Sequence, residues 1–171
     1  LNEYVKERGI DPDEIDLESE KKKREEKRMQ TDESPDAKAA KKYSTMVTEW
    51  IERHEDFLKE KEKVLARELE LGIAEPEATA ASIIDALGVI RWYQMQITVK
   101  LVRALEGEDE AKEITEDEEM NDILKDSDGS AKVALIGIDR SVGAWGELQK
   151  HFPAQSDSIM NILVHISNLR A

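Results

Sequence analysis

The chain has 171 residues, of which 37% are charged, 39% hydrophobic and only 5% aromatic; its net charge is −14 and it has no cysteine. That length allows one domain with a real core, and the missing cysteines exclude a disulfide framework and any thiolate metal site. Few aromatics beside many Glu, Lys and Arg favour helices with salt-bridged outer faces over strands.

The most apolar stretch, residues 80–105, holds only four charges, Asp85, Arg91, Lys100 and Arg103. Its longest uncharged run in the helix body, residues 92–99, is eight residues. A membrane span needs about 20. The N-terminus is too acidic and polar for a secretory signal. The expectation is a soluble, cytoplasmic chain with no membrane contact.

Charge falls in blocks. Residues 1–36 carry 13 acidic and 8 basic side chains, and residues 37–105 carry 11 of each. Residues 106–128 carry 12 acidic and 2 basic, and residues 129–171 carry 3 and 4. The part expected to pack is therefore near neutral, while the acidity sits in a tail and a loop.

In chain order, residues 1–9 suit a short helical turn ended by Gly9, and Asp11-Pro12 suits the cap and first turn of a helix over 12–29. Its large apolar residues are only Ile15, Leu17 and Met29, too few to dock firmly, and residues 31–35 read as a linker. Residues 36–70 form a long amphipathic pattern: Tyr43, Met46, Val47, Trp50, Ile51, Phe57, Leu58, Val64, Leu65 and Leu69 keep the 3–4 spacing. Leu71-Gly72 ends it, and Pro76 starts the next helix, so the two are antiparallel neighbours.

That next helix, 77–105, looks central. Ile83, Leu87, Ile90, Ile97, Leu101 and Ala104 form one ladder, and Ile84, Gly88, Met95, Val102 and Leu105 a second. Val89, Trp92 and Val99 widen the arc well past the stripe of about 100° that a surface helix needs. Neighbours on several sides are expected.

The stretch 106–129 then reads as a long acidic loop. A third helix over 130–152 carries a large stripe (Leu135, Ile138, Val142, Trp145, Phe152) and a small one (Ala134, Gly137, Ser141, Ala144). Its internal glycines, Gly137, Gly143 and Gly146, each cost up to about 1 kcal/mol against alanine, which points to close backbone approach. Pro153 stops it, and a short fourth helix over 157–170 turns Ile159, Ile162, Leu163, Ile166 and Leu169 inward. The chain starts with Leu and ends at Ala171 without a stop signal, so it reads as a piece of a longer one. A fourth helix this short should leave an apolar strip uncovered near Val64, Leu65, Leu69, Ile83, Ile84 and Leu87. The fold expected is all-α: an antiparallel up-down four-helix bundle over 36–171, preceded by a polar helical or disordered extension over 1–35.

Chemical motifs are scarce. A di-metal carboxylate bundle needs Glu-x-x-His, but Ile51, Leu148 and Ile162 stand three residues before His54, His151 and His165. Glu49-x-x-Glu52 lacks a second acidic pair on the next helix, where only Asp85 is available. Asp126-Ser127-Asp128-Gly129 resembles half an EF-hand loop, but Leu124 and Leu135 would fall at its ligating ends, so it is a turn. The basic run at 21–28 is bracketed by acids and reads as a solvated helix face, which gives no case for nucleic acid. No phosphate loop, nucleophile elbow or zinc pattern occurs, and no cofactor is implied.

One group resists that reading. Asp85 and Arg91 interrupt the central helix, and Asp139 and Arg140 the third, each amid apolar residues. If they face inward they must pair across helices, because a lone buried charge costs several kcal/mol. Such pairs would fix helix register; together with His54 and Trp145 they would alternatively line a polar pocket. The function expected is a non-enzymatic helical interaction or assembly module, bound to a protein partner or to itself. The alternative is a ligand-binding or metal-dependent bundle enzyme built on the Asp/Arg/His cluster.

Overall fold

The structure, a computed structural model, describes residues 17–73, 77–113 and 117–170. Among these residues there are six α-helices and no strand: α1 Leu17–Asp32, α2 Pro35–Arg53, α3 Glu55–Glu70, α4 Glu77–Glu113, α5 Asp117–His151 and α6 Ser156–Arg170. A 3-10 turn, Pro153–Gln155, joins the last two. The expected all-α class is met. The proposed features at 1–16 and the Pro76 start signal lie outside the described residues.

Helix ends follow local chemistry. Ser34 caps α2 by accepting the Ala37 N–H at 3.2 Å, with Pro35 next in the first turn. The expected linker at 31–35 shrinks accordingly, because α1 continues through Asp32 and Thr31 is buried. Gly72, at φ 66°, ends α3 with the paired bonds of a Schellman cap, Ile73 N–H to Glu68 and Gly72 N–H to Leu69.

The single amphipathic helix expected over 36–70 is broken at His54. Its imidazole Nδ1–H donates to the Trp50 carbonyl at 2.8 Å, and its backbone leaves helical geometry at φ −111°, ψ 18°. A side chain that competes for a ladder carbonyl is a recognised cause of such a break. Periodicity cannot see it, because the apolar 3–4 spacing resumes unchanged at Leu58.

The largest departure is the acidic stretch. In place of a loop over 106–129, α4 runs to Glu113 and α5 starts at Asp117, giving helices of 37 and 35 residues. They run antiparallel: Arg103 meets Asp126, Ser127 donates to the Ala104 carbonyl at 2.7 Å, and Tyr93 lies against Gly137. Small residues hold this extension together, since a Cβ on Gly107 would lie 2.9 Å from that of Ser127. Acidic side chains on an exposed helix face cost little, so composition alone misjudged it as loop.

α4 and α5 form the most extensive helix pairing, with α2 and α3 on α4 and α6 on both α5 and α2. The core they enclose contains Tyr43, Val47, Trp50, Leu58, Leu87, Ile90, Ile97, Trp145, Leu148, Ile159 and Ile166. The strip expected to lie bare beneath a short last helix is mostly covered: Leu65, Ile83 and Leu87 are buried where α3 runs along the first half of α4. On α5 both expected stripes reach the core, Ala134, Ser141 and Ala144 of the small one beside Ile138, Trp145 and Phe152 of the large one, while Leu135 is exposed. Of the three glycines expected to permit close approach, only Gly137 does so; Gly143 and Gly146 have open space around them.

Candidate functional site

The polar groups inside the fold form seams between helices. Trp145 Nε1–H donates to the Tyr43 hydroxyl at 3.1 Å, and Trp50 Nε1–H donates to Ser158 Oγ at 3.0 Å. The two indoles meet edge to face, 5.0 Å between centroids, a favoured aromatic geometry. Two α2 carbonyls take side-chain bonds from opposite neighbours: His165 donates to Ala39 at 2.8 Å and Thr98 to Ala40 at 3.2 Å. Gln94 adds a bond to Thr48. Each bond joins a polar group to a partner on another helix, so together they fix the register in which α2, α4, α5 and α6 pack.

Burial pushes the Tyr43 phenol above its ordinary value of 10, and the bond from Trp145 offsets part of the rise. Ser141 Oγ is fully buried and has no hydrogen-bond partner among the described residues. In the last turns of α5 the Lys150 ammonium, 3.1 Å from Glu147, holds that carboxyl below its usual range. His151 adds a weaker pull. These arrangements orient and pair groups; none sets a base against a nucleophile.

The residues singled out in the sequence are not brought together. Asp85 is exposed on α4, with no ion pair among the described residues. Arg91 instead grips Glu62 of α3 (2.5 and 3.2 Å), and Asp139 pairs with Arg170 of α6 at 2.6 Å. Arg140 donates to the Tyr93 hydroxyl at 3.2 Å, His54 marks the α2/α3 break, and Trp145 is buried. The expected pairing of Asp85 or Asp139 with Arg91 or Arg140 is therefore not formed: Arg91, Asp139 and Arg140 take other partners, and Asp85 takes none among the described residues. The reason is azimuth: all four charges sit at the margins of their helices' apolar arcs, where they reach solvent or an adjacent helix.

Two further features test the enzyme alternative. A cavity of about 410 Å³ opens between α4 and α5, lined by Arg103, Glu106, Gly107, Asp122, Ile123 and Asp126, with no histidine or hydroxyl among them. Among the described residues no three His, Asp or Glu side chains converge as metal ligands, and no helix is long and apolar enough to cross a membrane.

The structure also exposes large apolar side chains. Trp92, Met95 and Val99 are 69%, 59% and 55% accessible, and Val133 and Ile136 of α5 are exposed as well. The 3–4 spacing of Trp92, Met95 and Val99 puts them on one stripe of α4, and Val133 and Ile136 share one of α5. The in-chain register sets the two stripes side by side, because Tyr93 lies against Gly137 and Ala104 meets Ser127. The sequence carried this signal in the overly wide arc of α4, which reads as extra burial but marks an outward face. Comparison with protein-family models, with curated proteins and with solved structures returns no match.

Proposed function

We propose that the chain is a non-enzymatic helical interaction module whose working surface is the outward face of the α4/α5 hairpin. The observation that carries this reading is the side-by-side exposure of Trp92, Met95, Val99, Val133 and Ile136 on two long, rigid helices. Soluble monomers seldom leave a contiguous apolar patch of several hundred Å² bare, and such patches are typically contact surfaces. Aromatic and Met side chains are enriched at interface centres.

In this reading α2–α3, α4, α5 and α6 act as an up-down four-helix bundle that stiffens the hairpin. Support comes from the ring of neighbours, α2 beside α4 and α6, and α5 beside the same two. The partner is a protein. A net charge of −14 opposes the phosphate backbone of nucleic acids, and the separate placement of Asp85, Arg91, Asp139, Arg140 and His54 favours the module over the enzyme alternative.

Hydroxyl-radical footprinting tests the module reading. Trp92 and Met95 should oxidise readily in dilute pure protein and become protected in concentrated protein or in cell extract, while exposed Met160 on α6 keeps its rate. Trp92 and Met95 that stay as reactive as Met160 under every condition would overturn it.

A further inference from the structure

We infer that the outward face of the α4/α5 hairpin is built to receive a second copy of this chain, α4 against α4 and α5 against α5, each pair antiparallel. This rests on reading that face as an interaction surface and adds its occupant. Along α4, Asp85, Gly88, Trp92, Met95 and Val99 alternate steps of three and four residues, the 3.5-residue repeat that keeps a seam facing a partner helix.

Asp85 and Arg103 lie at opposite ends of this seam. They are eighteen residues apart, five helical turns, so they share an azimuth about 27 Å from each other. Their midpoint is residue 94. In an antiparallel copy centred there, each Asp85 meets the other chain's Arg103, with Trp92, Met95 and their mates between. Asp85 has no ion pair among the described residues. Arg103 uses part of its guanidinium on Asp126, at 3.0 and 3.3 Å, and both groups remain more than half exposed. Five donors leave it room for a second carboxylate.

α5 has its own centre. Gly129 and Gly143 stand seven residues to either side of Ile136, and neither would bring a Cβ within 4 Å of any neighbour in this chain. In-chain packing therefore does not account for them, although each costs about 1 kcal/mol in a helix interior. An antiparallel α5 centred on Ile136 sets each Gly129 opposite a Gly143, so the backbones can approach closely at both ends.

The two centres coincide. Tyr93 lies against Gly137, so one step along each helix brings residue 94 beside residue 136. A single two-fold axis crossing the hairpin at right angles to its helices thus serves the charge pair on α4 and the glycine pair on α5 together, as an isologous interface requires. The same axis carries the two acidic hairpin ends, 12 acids and 2 bases over 106–128, to opposite ends of the dimer. A parallel pairing would set them side by side. The footprint, about 27 Å by two helix widths of about 10 Å, is roughly 500 Å² a side. A standard interface has about 800 Å² a side, so a weak, reversible dimer is expected.

Sedimentation velocity over a concentration series is the test, with circular dichroism confirming that each surface variant is folded. The wild-type chain should dimerise, and Asp85→Arg and Arg103→Asp should each weaken it about ten-fold or more by setting like charges together. Mixing those two variants restores both pairs in the mixed dimer and in neither homodimer, so association should return to within about three-fold of wild type. A mixture no tighter than its components overturns the antiparallel register. A wild-type chain that stays monomeric at several hundred micromolar overturns the dimer, while protection of Trp92 in cell extract would still uphold the module. Should removal of residues 1–16 from a monomeric chain expose Trp92 and Met95 to oxidation, the chain's own N-terminus is the occupant and the inference fails.

Discussion

On one side of α4, Ile83, Leu87, Ile90 and Ile97 are buried; half a turn away, Gly88, Trp92, Met95 and Val99 face outward. The two sides are alike in apolar content and differ in what flanks them. The inner side is bordered by Gln94 and Thr98, whose bonds to Thr48 and the Ala40 carbonyl hold α2 in place. The outer side is bordered by Asp85 and Arg103, which are both exposed. Short neutral polar groups that can be satisfied inside the chain mark an internal seam, whereas full charges mark a rim that stays wet. Apolar content shows that a face wants to be covered, and its polar neighbours show by what.

The sharpest way to break that comparison is to truncate one residue from each side. Leu87→Ala removes a fully buried side chain from the centre of the core and should cost about 2–5 kcal/mol in urea denaturation. Trp92→Ala removes a larger side chain but should change monomer stability by less than about 0.5 kcal/mol. Comparable losses at the two positions would mean that Trp92 is part of the packed core.

A second test concerns the polar seam. Tyr43→Phe leaves the Trp145 N–H buried without its acceptor, which should cost about 1–3 kcal/mol. Its pH dependence has a definite sign. The Tyr43 pKa is raised in the folded state, chiefly by burial, so the neutral phenol's contribution is complete below pH 10 and is lost as pH climbs through the folded value. Wild type should therefore lose stability on the alkaline side more steeply than Tyr43→Phe. Parallel alkaline limbs in pH-resolved denaturation would show that the phenol ionises without strain.

Much of this was legible beforehand, and the failures have physical causes. The apolar ladders of α2, α4 and α6 were readable because 3–4 spacing over many turns has no competing explanation. The hairpin beyond residue 105 was not, because Glu and Asp on an exposed helix face look like Glu and Asp in a loop; only small residues such as Gly107 and Ser127 betrayed the packed seam. The Asp/Arg cluster failed differently. Charge within an apolar stretch signals a rim as readily as a buried pair, and azimuth decides between them only when neighbouring helices are known. Asp139, expected to be buried, is 47% exposed beside an Arg170 that is 59% exposed. An ion pair that open contributes little.

The smallest effects discriminate most finely, because they compare two glycines of one helix. A Cβ at Gly137 would sit 2.7 Å from Tyr93 Cδ1 and 3.1 Å from Ile97 Cγ1. The Tyr93 ring cannot yield freely, being half-buried with its hydroxyl bonded by Arg140. Overpacking of about 1–3 kcal/mol should outweigh the gain of up to about 1 kcal/mol in helix propensity, so Gly137→Ala should destabilise the fold. At Gly143 nothing lies within 4 Å, and Gly143→Ala should keep that propensity gain, stabilising the monomer by up to about 1 kcal/mol. If a second α5 packs over Gly143, the same methyl that firms the helix must weaken dimerisation, so stability and association should move in opposite directions. Thermal melts of dilute protein beside sedimentation of concentrated protein measure both. A Gly143→Ala chain that gains stability and associates as tightly as before would show that this glycine does not face another backbone.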